Sequence, residues 1–179
     1  GETKLTMEKM MKWCEHAHGI RYVSLRYFNV AGARETGEIG EDHRPETHLV
    51  PIILEAALGK RPHITVFGDD YDTPDGTCIR DYVHVEDLIN AHLLALDYLD
   101  NGKSNIFNLG INQGYSVKEM IDAARSVTGK EIPANTGVRR EGDPGVLIAS
   151  SEKAQPTLGW DPPRTPMEKN TQDASQRPH

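Results

Sequence analysis

Residues 64–88 read ITVFGDDYDTPDGTCIRDYVHVEDL. This stretch decides the fold class. Ile64-Thr65-Val66-Phe67 is a short run of strand formers, and Asp72 to Gly76 is a turn whose Asp-Gly step is its strongest signal. Cys78 to Val85 is extended. Glu86 to Leu99 then repeats Leu88, Ala91, Ala95 and Tyr98 or Leu99 at helical spacing and stops at Asn101-Gly102. Alternation places Arg80 and Tyr82 on one side of the extended segment and Asp81 on the other. A fixed guanidinium beside a phenol suits an anion, although a solvated edge strand accounts for the same pattern.

Working outward, the same alternation continues in both directions. Thr3 to His18 is predicted helical, with Met7, Met10, Met11, Cys14 and Ala17 as its inward stripe, and Tyr22 to Phe28 follows as a strand. Residues 32–48 are polar and glycine-rich and read as a long loop of the kind that often carries function. Val50 to Leu58 is a short helix with Pro51 in its first turn. Asn105 to Gly110 is a strand, and Ser116 and Glu119 form a capping box that opens a helix ending at Gly129, with Val117, Met120, Ile121, Ala124 and Val127 inward. Residues 138–143 are charged and extended. Ser150 to Gln155 is one helical turn stopped by Pro156, and residues 161–179 read as a poorly ordered tail. Helices alternating with strands predict an α/β protein: the distal part of a Rossmann-like, doubly wound parallel sheet interleaved with a small α/β lobe.

The 179 residues carry 20 Lys+Arg against 27 Asp+Glu, a net charge of −7, which argues against a nucleic-acid binder with a broad basic face. No apolar run is long enough for a membrane span, and Gly1-Glu2-Thr3-Lys4 opens no secretory signal. Two cysteines, Cys14 and Cys78, do not build a disulfide scaffold and predict a reducing, cytoplasmic setting. No H-x-x-x-H or H-E-x-x-H pair appears, so catalytic zinc is not expected and no metal is assigned, and the G-x-G-x-x-G dinucleotide fingerprint is absent.

The residues with chemical promise are few. Lys4 starts a helix, and on composition alone a solvated surface lysine is by far the commoner case. Asn29 closes a strand, where ligands of open α/β sheets sit and where turn asparagines are also common. Arg139, Arg140 and Asp143 form a second charged knot. Arg80, Arg140 and Asp143 together would suit a ligand with phosphates and a ribose, since guanidinium forks match phosphate oxygens and a carboxylate accepts from hydroxyls.

Four segments, GETKLTMEKM at 1–10, LRYFNVAGA at 25–33, the stretch at 64–88 and RREGDPGVLIASSEKA at 139–154, resemble the extended short-chain dehydrogenase/reductases of the NAD-dependent epimerase/dehydratase family. The DY-x-T-x-DGT insertion at 70–77 points to its UDP-glucose 4-epimerase branch. The resemblance covers about residues 1–160 and concerns the C-terminal portion of such enzymes. It implies an isomerase with bound NAD that interconverts UDP-galactose and UDP-glucose through a 4-keto sugar. It also implies a homodimer for the whole protein. Lys4 matches the lysine of a Tyr-x-x-x-Lys pair, which binds the nicotinamide ribose and favours tyrosinate. The tyrosine would stand just before Gly1, so these residues alone are expected to be inactive. Asn29 matches a contact to the substrate diphosphate, and His48-Leu49 stand where the family often has Asn-Leu near the nucleotide. Thr65 and Phe67 match the strand beside uracil. Arg80 and Arg140 match diphosphate arginines, Tyr82 the aromatic next to Arg80, Asp143 the ribose acceptor, and Leu147 the gate at the sugar's C2 substituent. The resemblance divides the chain into Rossmann elements at 1–32 and 79–112 and a UDP-sugar lobe at 33–78 and 113–160. Another sugar-nucleotide epimerase or dehydratase, or a non-catalytic UDP-sugar-binding fragment, are the alternatives.

Overall fold

The computed structural model describes residues 1–34, 36, 38, 39, 41–162 and 167–175, the last span without the side chains of 167–170. Helix α1 (Glu2–His18) leads into β1 (Val23–Arg26) and β2 (Asn29–Ala31). After the long loop come α2 (Leu49–Ala57), β3 (Ile64–Phe67), β4 (Ile79–Arg80), β5 (Tyr82–His84) and α3 (Val85–Asp100). The chain continues through β6 (Asn105–Asn108), β7 (Tyr115–Ser116), α4 (Val117–Thr128), β8 (Ala134–Gly137) and β9 (Val146–Leu147) to α5 (Ala154–Leu158) and α6 (Met167–Ser175).

Parallel pairing dominates, as expected of an α/β fold. β1 pairs with β6, with Leu25 opposite Phe107, and β2 with β5, with Asn29 opposite Tyr82. β3 pairs with β8, and the short β4 lies between an antiparallel β7 and a parallel β9. The single extended segment expected over 78–85 is thus two strands in different sheets, broken at Asp81. Extended structure expected at 138–143 lies earlier, at Ala134–Gly137, because β8 takes its register from β3.

Two apolar clusters hold these elements. One joins Ile53 and Leu54 of α2, Ile64 and Val66 of β3, Tyr82, and Met120, Ile121 and Ala124 of α4. The capping box that opens α4 is present in full: Ser116 Oγ accepts from the Glu119 N–H, and Glu119 accepts from the Ser116 N–H. The other cluster joins Val83, Leu88, Ala91, Phe107 and Leu109 with Ala154, Leu158 and Trp160. Ala154, Leu158 and Trp160 therefore bury against α3 and β6. Trp160 is fully buried, and its indole N–H donates to the Asp87 carbonyl at 2.9 Å.

Three further sequence expectations need correction. The α1 stripe is not buried: Met7 and Met10 are 60% and 61% exposed, Ala17 is exposed, and Met11 and Cys14 are half-buried. The helix is tied down by polar bonds instead. Glu8 takes a two-pronged bond from Arg26, at 2.7 and 2.5 Å, and a third from Ser24, while Glu15 accepts from Ser104. Pro156 does not stop a helix but lies within the first turn of α5, where the backbone N–H has no partner to lose. The tail does not run loose over 167–175. There α6 lies against α4, with Thr171 and Asp173 buried and Ala174 on the first cluster. Its anchors are polar, so hydrophobic periodicity carries no trace of them. The remainder of the expected tail, 163–166 and 176–179, lies outside the described residues.

Candidate active site

The strand β3 alternates cleanly. Ile64 and Val66 go to the core, and Thr65 and Phe67 face outward. Those two side chains form one wall of a cleft of about 1130 Å³, large enough for a nucleotide-sized ligand. The opposite sides come from the end of β1 and β2 (Tyr27, Phe28, Asn29), the start of α2 (His48, Leu49), the β4–β5 step (Arg80, Tyr82), the start of α3 (Val85, Ile89), and the loop after β8 (Arg140, Asp143). Nine of the eleven residues that the resemblance matches to a role thus line one cleft. The other two do not line it. Lys4 is exposed in the first turn of α1, and Leu147 is half-buried on β9, paired across the sheet with Arg80.

The charges in the cleft are arranged unequally. Arg80 is largely buried, with 13% of its side chain exposed. Its Nη2 is 3.4 Å from Asp143 Oδ1, and its Nη1 donates to the Ile79 carbonyl at 2.8 Å. Arg140 sits 4.1 Å over the ring centroid of Phe67. A guanidinium stacked on an aromatic face keeps its N–H fork free at the edge. Among the described residues no carboxylate lies within ion-pair distance of Arg140. The turn that carries it closes with the Asp143 N–H donating to the Arg140 carbonyl at 3.3 Å. Burial pushes the Tyr82 phenol well above its ordinary range, with Cys78 nearby adding to the effect, so it faces the cleft as a neutral hydroxyl.

Asp81 is the residue that sequence reasoning passed over. It is 1% exposed, and its two oxygens accept from the N–H groups of Ile111 and Ala149, both at 3.3 Å. Its carbonyl accepts from Asn29 Nδ2 at 3.1 Å. One carboxylate therefore ties the β4–β5 step to the segment after β6 and to the segment after β9, and so sets where Arg80 and Tyr82 emerge. Burial pushes its carboxyl upward, against the two N–H bonds that lower it. Gly110 makes the fit possible: a Cβ there would stand 2.5 Å from the Ala149 carbonyl and 2.6 Å from Asp81 Oδ2. The available signal was the alternation itself, which aims Asp81 away from its two neighbours and into the interior.

A second, smaller cleft of about 470 Å³ shares Val30, Gly32, Glu41 and Pro51 with the first and is lined also by Glu46, Leu54, Lys60 and Ala174. In the loop that enters α2, burial acts to raise the Glu46 carboxyl. The N–H groups of His48 and Thr47, with the His48 ring, outweigh that and hold it below the usual carboxylate range. Among the described residues no helix is long and apolar enough to cross a membrane.

Comparison with known proteins agrees with this architecture. Residues 1–110 match the model of the NAD dependent epimerase/dehydratase family. A UDP-glucose 4-epimerase of Halalkalibacterium halodurans is 61% identical over 163 residues, 90% of this chain and 49% of its own length. A crystal structure of a UDP-glucose 4-epimerase superposes with a TM-score of 0.94 at 57% identity, covering 98% of this chain and 54% of that one. The Bifidobacterium longum UDP-glucose 4-epimerase, solved in complex with NAD+ and UDP, superposes with a TM-score of 0.92 at 37% identity over 98% of this chain and 52% of that one. The chain spans about half the length of the curated relatives it matches. It belongs to the NAD dependent epimerase/dehydratase family.

Proposed function

We propose that these residues are the substrate-gripping, C-terminal part of a UDP-glucose 4-epimerase, which interconverts UDP-galactose and UDP-glucose through a 4-keto intermediate. The observation that carries the reading is the pair of arginines at one cleft. Arg140, stacked on Phe67 and without a carboxylate partner among the described residues, lines the same cleft as the largely buried Arg80. Two guanidinium forks suit a diphosphate, the Thr65–Phe67 wall suits the flat face of uracil, and Asp143 suits a ribose hydroxyl. Asn29 and His48 complete the polar rim, and the UDP held by the Bifidobacterium relative has this chemistry. Leu147, one strand from Arg80, would act on the sugar's C2 substituent through its neighbours rather than by lining the cleft.

Bound NAD would supply the reversible acceptance of hydride at the sugar's C4. Of the groups that would hold it, these residues offer Lys4, an exposed cation that fits a ribose hydroxyl, and they contain no G-x-G-x-x-G turn. These 179 residues alone are therefore inactive on this reading, for want of both the cradle and the phenol base of the Tyr-x-x-x-Lys pair. The exposed apolar side chains Met7, Met10 and Trp13 on α1, and Ile89, Leu93 and Leu96 on α3, support a further segment packing there. A cytoplasmic homodimer is the corresponding state of the whole enzyme, and both cysteines are free, as that setting requires.

Calorimetric titration of the chain with UDP and with uridine at low salt tests the substrate grip. UDP should bind at least about tenfold more tightly, a difference of about 1.4 kcal/mol, and Arg140→Ala should remove most of the margin. Equal binding of the two ligands refutes a diphosphate site. Joined to the remaining half of the Halalkalibacterium relative, the chain should convert UDP-galactose to UDP-glucose. A product other than UDP-glucose would indicate a different sugar-nucleotide reaction.

A further inference from the structure

The loop that enters α2 reads Glu41-Asp42-His43-Arg44-Pro45-Glu46-Thr47-His48. It carries neither the H-x-x-x-H nor the H-E-x-x-H spacing of catalytic zinc sites. Folded, it gathers donors. One ligand atom each from His43, Glu46 and His48 lies within 4.8 Å of the other two. The His48 Nδ1 is 2.7 Å from Glu41 Oε1 and 3.0 Å from Glu46 Oε1, and the His43 and His48 rings are 5.2 Å apart.

Two features distinguish this cluster from a chance gathering of surface charge. The Glu46 side chain is only 9% exposed, and its Oε1 takes the N–H groups of Thr47 and His48, both at 2.7 Å. The backbone thus fixes the carboxylate, as outer-shell bonds fix metal ligands, and the bonds it receives fall on one oxygen, leaving the lone pairs of the other. The second feature is the distribution of positive charge. Arg44 is 3.6 Å from Asp42. Among the described residues, His48 is the only basic group within ion-pair distance of Glu41 or Glu46. Two carboxylates converge on one imidazole nitrogen, with a second imidazole at hand.

We propose that His43, Glu46 and His48, completed by Glu41, form a site for a divalent cation of the zinc class. Two imidazoles with carboxylate oxygens make a donor set for a borderline cation, whereas magnesium and calcium take oxygen ligands. His43 and His48 are exposed, so the ion enters from solvent. Its place matters because His48 precedes α2 and lines the large cleft together with Glu41, Thr47 and Leu49. A bound ion would pin the loop that walls the substrate site. The proposal is independent of what the cleft binds, since it concerns only uptake of the metal.

The test titrates zinc chloride into the metal-stripped 179-residue chain against a chromophoric chelator, with magnesium as competitor. One equivalent of zinc should bind, and magnesium should not displace it. His43→Ala and Glu46→Gln should each weaken uptake by about 10–100-fold. The exposed pair His16 and His18 on α1, both changed to Ala, should leave it unchanged. X-ray absorption at the zinc edge should show nitrogen and oxygen neighbours at about 2.0–2.1 Å. Uptake retained in His43→Ala, uptake lost in the α1 double variant, absence of stoichiometric uptake, or a shell with sulfur at about 2.3 Å, as Cys14 or Cys78 would give, each overturns the proposal.

Discussion

Replacing Asp81 by alanine should loosen the whole arrangement of the cleft, and the size of the effect can be worked from its bonds. The side chain is 1% exposed and satisfies the N–H groups of Ile111 and Ala149. Each buried donor left without an acceptor costs about 1–3 kcal/mol, so the two together cost about 2–6 kcal/mol. Removal of a carboxylate that burial disfavours in its charged form offsets part of this, and a net loss of about 2–4 kcal/mol is expected. With a urea dependence of about 2 kcal/mol per molar, the midpoint should fall by about 1–2 M, measured by circular dichroism. Asp81→Asn keeps one acceptor and should lie between the two. The pH dependence carries the sharper sign. Because the folded-state carboxyl is raised, the native chain holds its proton where the unfolded chain has already released it. The contribution of Asp81 is therefore fully present below the ordinary carboxylate range and falls as pH rises through the raised value. Wild type should lose stability relative to Asp81→Asn across that window. An Asp81→Ala chain within about 0.5 kcal/mol of wild type, or a wild-type-minus-Asn difference that is flat with pH, would refute the reasoning.

Three further outcomes are expected. Trp160→Ala empties a fully buried site and deletes the bond to Asp87, so it should cost about 3–5 kcal/mol in urea unfolding; a loss under 1 kcal/mol would mean that the α3–α5 cluster is not a core. Asp173→Ala removes the carboxylate that stands 3.4 Å from the buried His84 Nε2 and should free α6, seen as faster amide exchange in α6 and along the face of α4 it covers; unchanged exchange would place the anchor of α6 elsewhere. The Arg26 guanidinium holds Glu8 below the usual carboxylate range, against burial and with help from Ser24. Its contribution is present above the ordinary value and fades as pH falls through the lowered one. Glu8→Gln should therefore be less stable than wild type at neutral pH, with the gap closing in acid; a gap that widens in acid would contradict this sign.

The elements that were legible in the sequence are those whose formation is local. The capping box at Ser116 and Glu119 and the apolar spacing of Met120, Ile121 and Ala124 place α4 without reference to the rest of the chain. The same holds for β3 and α3. Elements whose stability is borrowed from partners were not legible. The strand β8 has an unremarkable sequence and exists because β3 offers it a register. The helix α6 is held by the buried polar groups Thr171 and Asp173, which a search for apolar periodicity overlooks. The α1 stripe failed for the reverse reason: periodicity says which face is apolar, not whether anything covers it.

For the site, residue type and spacing were enough to pick out Arg80, Arg140 and Asp143 as groups that suit a ligand with phosphates and a ribose, because the chemistry of a guanidinium or a carboxylate travels with the residue. Their meeting was decided only by the tertiary structure. Arg80 and Asp143 are 63 positions apart in the chain, and they meet because β4 runs parallel to β9 and Asp81 bonds to two distant backbone segments at once. The donors of the 41–48 loop are near in sequence, yet their convergence also depends on a backbone path that no short-range preference specifies. Local propensity and side-chain chemistry are properties of single residues and short windows. Register, burial and the approach of distant loops are properties of pairs of segments, and they arise only when the chain has folded.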